Sequence, residues 1–173
     1  MSQPYFCADL HLGHRRIAQY RTQFKDSAEH DEFVLDMVSK ITQNKRRTLY
    51  ILGDVAFTLE ALDKLAKLNE HKNIRIILGN HDTDREVKIK DWVNAGFEFI
   101  HSLVKYKNFW LSHAPIHESE LRGKFNVYGH SHFAVIDDPR YRCVSLEQIN
   151  YKPISLDSLR EEFSCLQKFK NPE

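Results

Sequence analysis

Three short apolar runs, each closed by a polar cluster, alternate with segments of helical period in the first half of the chain, and this alternation narrows the possible folds most. Residues 4–8 (PYFCA), 48–52 (TLYIL) and 74–78 (IRIIL) are too short for buried helices and rich in aromatic and β-branched side chains, so they read as buried strands. Between the first two, residues 27–43 place Phe33, Val34, Met37, Val38 and Ile41 on one helical face, with Asp26 or Ser27 as N-cap. Leu59, Leu62, Leu65 and Ala66 space a second helix capped by Thr58, and a third is predicted over residues 84–95, stopping near Gly96. Repeated β-loop-α order predicts a largely parallel sheet covered by helices, with ligands gathering beyond the carboxyl ends of its strands.

The second half has a different texture. Short apolar stretches at 97–100, 104–106, 109–112, 127–128, 134–136 and 142–144 read as a β-rich layer. A last helix from residue 156 to about 169 presents Leu156, Leu159, Phe163 and Leu166 after Pro153. No Gly/Ser/Pro-rich linker or repeat divides the halves, so the 173 residues read as one globular domain, 1–173. With 25 Lys+Arg against 24 Asp+Glu, charge does not point to a duplex-coating or membrane-surface protein, although nucleic acid stays open as a partner. Cys7, Cys143 and Cys165 are far apart and lack C-x-x-C spacing, which argues against a disulfide framework and a thiolate zinc site. The start of the sequence has no secretory pattern and no apolar run reaches the ~18 residues of a membrane span, so the expectation is a cytoplasmic protein.

Ten histidines are many for this length, and several fall at predicted strand ends. Five polar clusters stand there: Asp9-Leu10-His11, Gly53-Asp54, Gly79-Asn80-His81-Asp82, Ser112-His113 and Gly129-His130-Ser131-His132. Carboxylate, imidazole and amide oxygen without thiolate suit Mn²⁺, Fe²⁺, Zn²⁺ or Ni²⁺. Asp9, His11, Asp54, Asn80, His113, His130 and His132 are too many ligands for one ion, and they divide into two sites of four if Asp54 bridges. Gly53, Gly79 and Gly129 are read as sharp turns that aim the next side chain into the site. Each cluster alone is a common strand-end polar group; five in this order are not.

The series D-x-H, G-D, G-N-H-D, S-H and G-H-S-H, running from Asp9 to His132, resembles the signature of the calcineurin-like metallophosphoesterases. The resemblance implies an α/β fold (α+β in some schemes): a four-layer α/β/β/α sandwich of two packed mixed sheets flanked by helices, of the small bacterial and phage type without a cap domain. It implies two divalent ions, Mn²⁺ first among them, one held by Asp9, His11, Asp54 and His132 and the other by Asp54, Asn80, His113 and His130. It further implies that a metal-bridging hydroxide attacks phosphorus in line while His81 assists the leaving group and Asp82 orients His81 through the far ring nitrogen. His14 either faces the substrate phosphate or caps the next helix, Arg15 either contacts phosphate or is solvated, and His117 is a candidate for the opposite wall; Asn80 is also a candidate substrate contact. The expected substrate is a phosphodiester or nucleotide-like ester. The alternatives are a nucleic-acid end-processing nuclease and, from another class, a metal-containing scaffold module. The state is monomer or homodimer.

Overall fold

The structure, a computed structural model, describes residues 2–170, with side chains as far as residue 164, so the expectations at Cys165 and Leu166 lie outside the described side chains. Strand β1 (Gln3–Cys7) pairs parallel with β2 (Arg47–Leu52), and β2 with β3 (Ile74–Ile77), in a register that sets Cys7 opposite Ile51 and Ile51 opposite Ile76. These strands are continuous apolar runs because both of their faces are covered. Ile51, Leu52 and Ile76 have no exposed surface, and each such side chain contributes about 1.5–3 kcal/mol by leaving water. A short parallel strand, β4 (Ile100–His101), closes the far side of β3.

The second sheet runs β5 (Leu103–Tyr106), β6 (Phe109–Ser112), β7 (Phe125–Tyr128) and β8 (Tyr141–Cys143), antiparallel at its first pairing and parallel thereafter. Strand β9 (Ile154–Ser155) returns to lie antiparallel beside β1, giving the first sheet the order β4-β3-β2-β1-β9. Both sheets are therefore mixed, as expected. They meet through aromatic rings: Phe6 on Tyr50 at 5.4 Å, and Tyr106 of the second sheet 5.3 Å from Tyr50 and 6.2 Å from Phe6.

Helix α1 (Ser27–Thr42) packs on β2, with the Asp26 carboxylate accepting from the Glu29 amide at 2.9 Å as its N-cap. Helix α2 (Leu59–Lys67) starts at Thr58, whose hydroxyl accepts from Ala61 N. Helix α4 (Leu156–Lys170) lays Phe163 against Phe125 and Phe109 of the second sheet.

The third helix is shorter than its spacing predicts. Helix α3 covers only Ile89–Asn94, because Lys88 is extended (φ −124°, ψ 163°) and residues 82–88 turn Val87 into the core instead of continuing a helix. The predicted strand at 134–136 does not form: residues 133–135 are exposed and unpaired, and the second sheet resumes only at β8.

Where the sheets converge, Ala8 N donates to Val144 O and Val144 N to Tyr128 O, tying the end of β1 to the ends of β7 and β8. That junction brings the loops after β1, β2, β3, β6 and β7 to one rim. Every cluster singled out in the sequence lies on one of these loops.

Candidate metal centre

Four candidate ligands occupy a backbone conformation that L-residues rarely adopt. Asp9 (φ 60°), His11 (φ 54°), Asp54 (φ 51°) and His130 (φ 70°) are all left-handed, at a cost of about 1–3 kcal/mol each. Asp and His tolerate this region better than β-branched residues, and an interlocked set of hydrogen bonds holds it. Asp9 N donates to Gly53 O, His11 N to Asp54 O, and His130 N to the Asp9 carboxylate at 2.9 Å.

The glycines are required mainly by crowding. Of Gly53, Gly79 and Gly129 only Gly53 is left-handed (φ 85°), and a Cβ there would also strike the His113 ring. A Cβ on Gly79 would enter the Asp54 carboxylate, and one on Gly129 would meet Ala8 and Asp9. For these two the reading as a sharp turn gives way to close approach of backbone to ligand.

Two groups of donor atoms result. His11 Nε2 and His132 Nε2 each lie 3.8 Å from Asp9 Oδ1, and His11 Nε2 lies 3.9 Å from Asp54 Oδ2. On the other side, His113 Nε2 is 3.4 Å from Asp54 Oδ1, 2.9 Å from Asn80 Oδ1 and 3.2 Å from His130 Nδ1. The two oxygens of Asp54 thus face different groups. Asp9 also stands near His113, with a contact of 4.0 Å at Nδ1, a nitrogen committed to Leu52 O at 2.9 Å.

These atoms suit divalent ions on their own evidence. Asp9 Oδ1 and both ring nitrogens of His11 are buried without a hydrogen-bond partner, an arrangement that is costly unless something else satisfies them. The outer ring nitrogens are also controlled. His113 Nδ1 faces Leu52 O and His132 Nδ1 faces Glu147 Oε1 at 3.0 Å, so each ring turns the lone pair of its Nε2 toward the centre.

Burial alone would raise the Asp9 pKa, but His11, His132, His113 and the Ser145 hydroxyl (2.6 Å) hold the carboxyl below its usual range. Burial pulls His11 down, favouring the neutral imidazole that a metal ligand requires. For His132 burial also pulls downward, yet Glu147 and Asp9 outweigh it and the net shift is upward.

A buried arginine, absent from the sequence-based candidates, organises this side. Arg21 is 2% exposed. Its guanidinium donates to Asp9 O (2.6 Å), Leu10 O (3.2 Å) and Glu147 Oε1 (2.8 Å) and contacts His30 Nε2 (2.8 Å). His30 in turn meets Asp31, which accepts from Gly13 N. Burial would raise Glu147, but His132 and Arg21 bring it down to about 2. No motif signals Arg21, His30, Asp31, Ser145 or Glu147: Arg21 meets Glu147 across 126 positions and Ser145 meets Asp9 across 136, and the adjacent pair His30-Asp31 gains its role only through them.

The expected role of Asp82 is corrected. Its carboxylate is buried and accepts from Val55 N (2.7 Å), Asp54 N (3.0 Å) and Gly79 N (2.7 Å), locking the β2 and β3 loops together. Burial pushes it up to about 6 even against those bonds. The partner of the His81 ring is Asp84, 3.0 Å from Nδ1.

Among the looser candidates, His14 stands at the rim with its ring 5.9 Å from His11 and 5.2 Å from Phe57, and its Nδ1 accepts from Arg16 N. Arg15 is exposed and borders a different hollow beside Gly13 and Thr58. His117 turns its Nδ1 to Ser119 and caps a short 3₁₀ turn. Cys7 is buried, and burial raises its thiol pKa, so it behaves as a small core hydrophobe.

A hollow flanks the centre on each side. One, of about 280 Å³, opens beside His11 and His132; the other, of about 490 Å³, opens beside Asn80, His113 and His130. A larger hollow of about 940 Å³ lies along β4 and α3, apart from these donors.

Two mixed sheets that deliver Asp, His and Asn from five strand ends into paired donor groups define a metal-dependent phosphoesterase. The sequence matches the calcineurin-like phosphoesterases over residues 4–172, and the chain belongs to that family. It is 28% identical over 169 residues to the gene 66 protein of Mycobacterium phage L5, across 79% of this chain and 80% of that protein. It is also 28% identical over 170 residues to an uncharacterized protein of Methanocaldococcus jannaschii, across 91% and 89%. A protein of unknown function from Aquifex aeolicus shares the fold with a TM-score of 0.66 at 22% identity, over 93% of this chain and 99% of that one. Among the described residues no helix is long and apolar enough to cross a membrane.

Proposed function

We propose that this protein is a single-domain, dinuclear-metal hydrolase of phosphodiesters or nucleotide-like phosphate esters. The observation that carries the proposal is the Asp54 carboxylate, with Oδ2 toward His11 and Oδ1 toward His113. In this reading Asp9, His11, Asp54 and His132 hold one ion and Asp54, Asn80, His113 and His130 the other. When bound, two such ions acidify water and neutralise charge on phosphoryl oxygens. Mn²⁺ is the ion to supply first.

The remaining work falls to the chain's own groups. Arg21 and Glu147 keep Asp9 and His132 in place, and Leu52 O fixes the His113 ring. His81, with Nδ1 taken by Asp84, offers Nε2 to the leaving oxygen and delivers a proton there. With a hollow on either flank, both organic arms of a diester find room. Arg15 and His117, turned elsewhere, are not needed for this role; His14 and Asn80 border the two hollows.

The test is hydrolysis of bis-p-nitrophenyl phosphate beside p-nitrophenyl phosphate by chelator-stripped protein resupplied with Mn²⁺, with Asp54→Asn as control. Diester turnover that dominates and disappears in Asp54→Asn supports the proposal. Monoester preference overturns the diester assignment. Silence on both with metal bound overturns the hydrolase reading and favours a binding module.

A further inference from the structure

The hollow beside His11 and His132 has walls that metal binding does not explain. Ile17, Tyr20 and Phe133 line it together with the two histidines and Glu147. Phe133 is 73% exposed and Tyr20 65%, the two most exposed large apolar side chains among the described residues. Large apolar groups left in water beside a functional centre mark a surface that something else covers. Ile17, by contrast, is buried and supplies a fixed apolar floor.

Tyr20 is braced edge-on against the His14 ring at 6.0 Å, and Phe133 follows directly on His132 with ring centroids 6.3 Å apart. Both aromatic walls are thereby tied to the loops that carry the donor atoms. The hollow, about 280 Å³, falls just below the ~300–1,000 Å³ of a pocket that takes a whole small ligand, so it fits one ring system attached to a group held next door.

We infer that this hollow is a ring-binding subsite, which selects phosphate esters carrying a planar aromatic group such as a nucleobase, packed between Tyr20 and Phe133. The inference rests on the phosphoester reading, because the phosphoryl group must sit at the His11 and His132 donors for its ring to reach these walls. The contact is with a non-reacting part of the substrate, so it acts on binding equally in ground and transition states and appears in KM more than in kcat. The opposite hollow, lined by Leu78, Leu103 and Pro115 beside His113 and His130, presents no Phe, Tyr or Trp among the described residues, and the two arms of a diester are thus distinguished.

The experiment is calorimetric titration of the Mn²⁺-loaded protein with phenylphosphonate and methylphosphonate, which share the anionic head and differ in the ring. Ring stacking predicts phenylphosphonate binding tighter by roughly 5- to 100-fold. In Tyr20→Ala and Phe133→Ala the ratio of the two affinities should fall by at least about threefold each. Val93→Ala, at another exposed apolar position, on α3, should keep the wild-type ratio. Equal affinity for both ligands in the wild type, or an unchanged ratio in both aromatic variants, overturns the subsite while leaving the phosphoester reading intact. Failure of both phosphonates to bind overturns both.

Discussion

Arg21→Met removes the guanidinium while keeping an unbranched chain of similar reach. In the native protein that group is 2% exposed and donates to two carbonyls and one carboxylate, Glu147, whose side chain is itself only 12% exposed. Breaking a buried ion pair from one side costs about 3–5 kcal/mol, because the other charge stays buried. His132 still faces Glu147 and moderates that loss, whereas Asp9 O and Leu10 O lose their donor. The two corrections are of similar size and opposite sign, so about 3–5 kcal/mol stands. In a domain of this length that lowers Tm by roughly 6–20 °C. With Arg21 gone from both the Glu147 carboxylate and Asp9 O, the groups that hold His132 and Asp9 in place are loosened, and metal binding should weaken by about 10–100-fold. Arg21→Lys keeps the charge without the planar fork and should fall between the two. Urea and thermal unfolding of chelator-stripped protein measure the first effect, and Mn²⁺ titration the second. An Arg21→Met protein within about 1 kcal/mol of wild type and unchanged in metal affinity would refute the network as the support of this side of the centre.

Four further perturbations separate the roles of neighbouring groups. Gly79→Ala drives a methyl into the Asp54 carboxylate, so bound metal, counted by elemental analysis, should drop below the wild-type stoichiometry even if the protein folds. His81→Ala should retain its metal and lose about 10²–10⁴-fold in rate on esters with poor leaving groups. Asp84→Asn should lose less than His81→Ala in the same assay, and an Asp84→Asn loss that matches His81→Ala would overturn its role as a mere ring partner. Glu147 is lowered from 4.5 to about 2, and a carboxyl depressed on folding contributes stability that is complete above its unfolded pKa and lost as pH falls. The urea-unfolding difference between wild type and Glu147→Gln should therefore be largest near neutrality and shrink between pH 4.5 and 2; a difference independent of pH would contradict the assignment.

Much of the centre was legible along the chain because its parts are local. An apolar run followed by a polar cluster encodes a strand end whatever packs around it, so Asp9, Asp54, Asn80, His113 and His130 could be named with their positions. The length of helix α3 was misjudged for the opposite reason: apolar spacing over 84–95 cannot reveal that Asp84 is held by His81, or that Val87 turns inward ahead of an extended Lys88. The stretch at 134–136 likewise has strand-like composition without a partner strand beside it.

The sequence by itself determined the order of the first three strands and the helices between them, the family and a set of candidate metal-type donors, since periodicity, turn chemistry and motif order are properties of short segments. Tertiary structure alone decided which groups satisfy one another. Arg21 meets Glu147 across 126 positions, and Ser145 meets Asp9 across 136. Asp82 turns away from His81 toward three backbone amides, and Tyr20 and Phe133 become the walls of one hollow. A buried charge or an open ring is matched by whatever the folded loops bring within a few ångströms, and that proximity is written in the crossing of the two sheets rather than in any local stretch of residues.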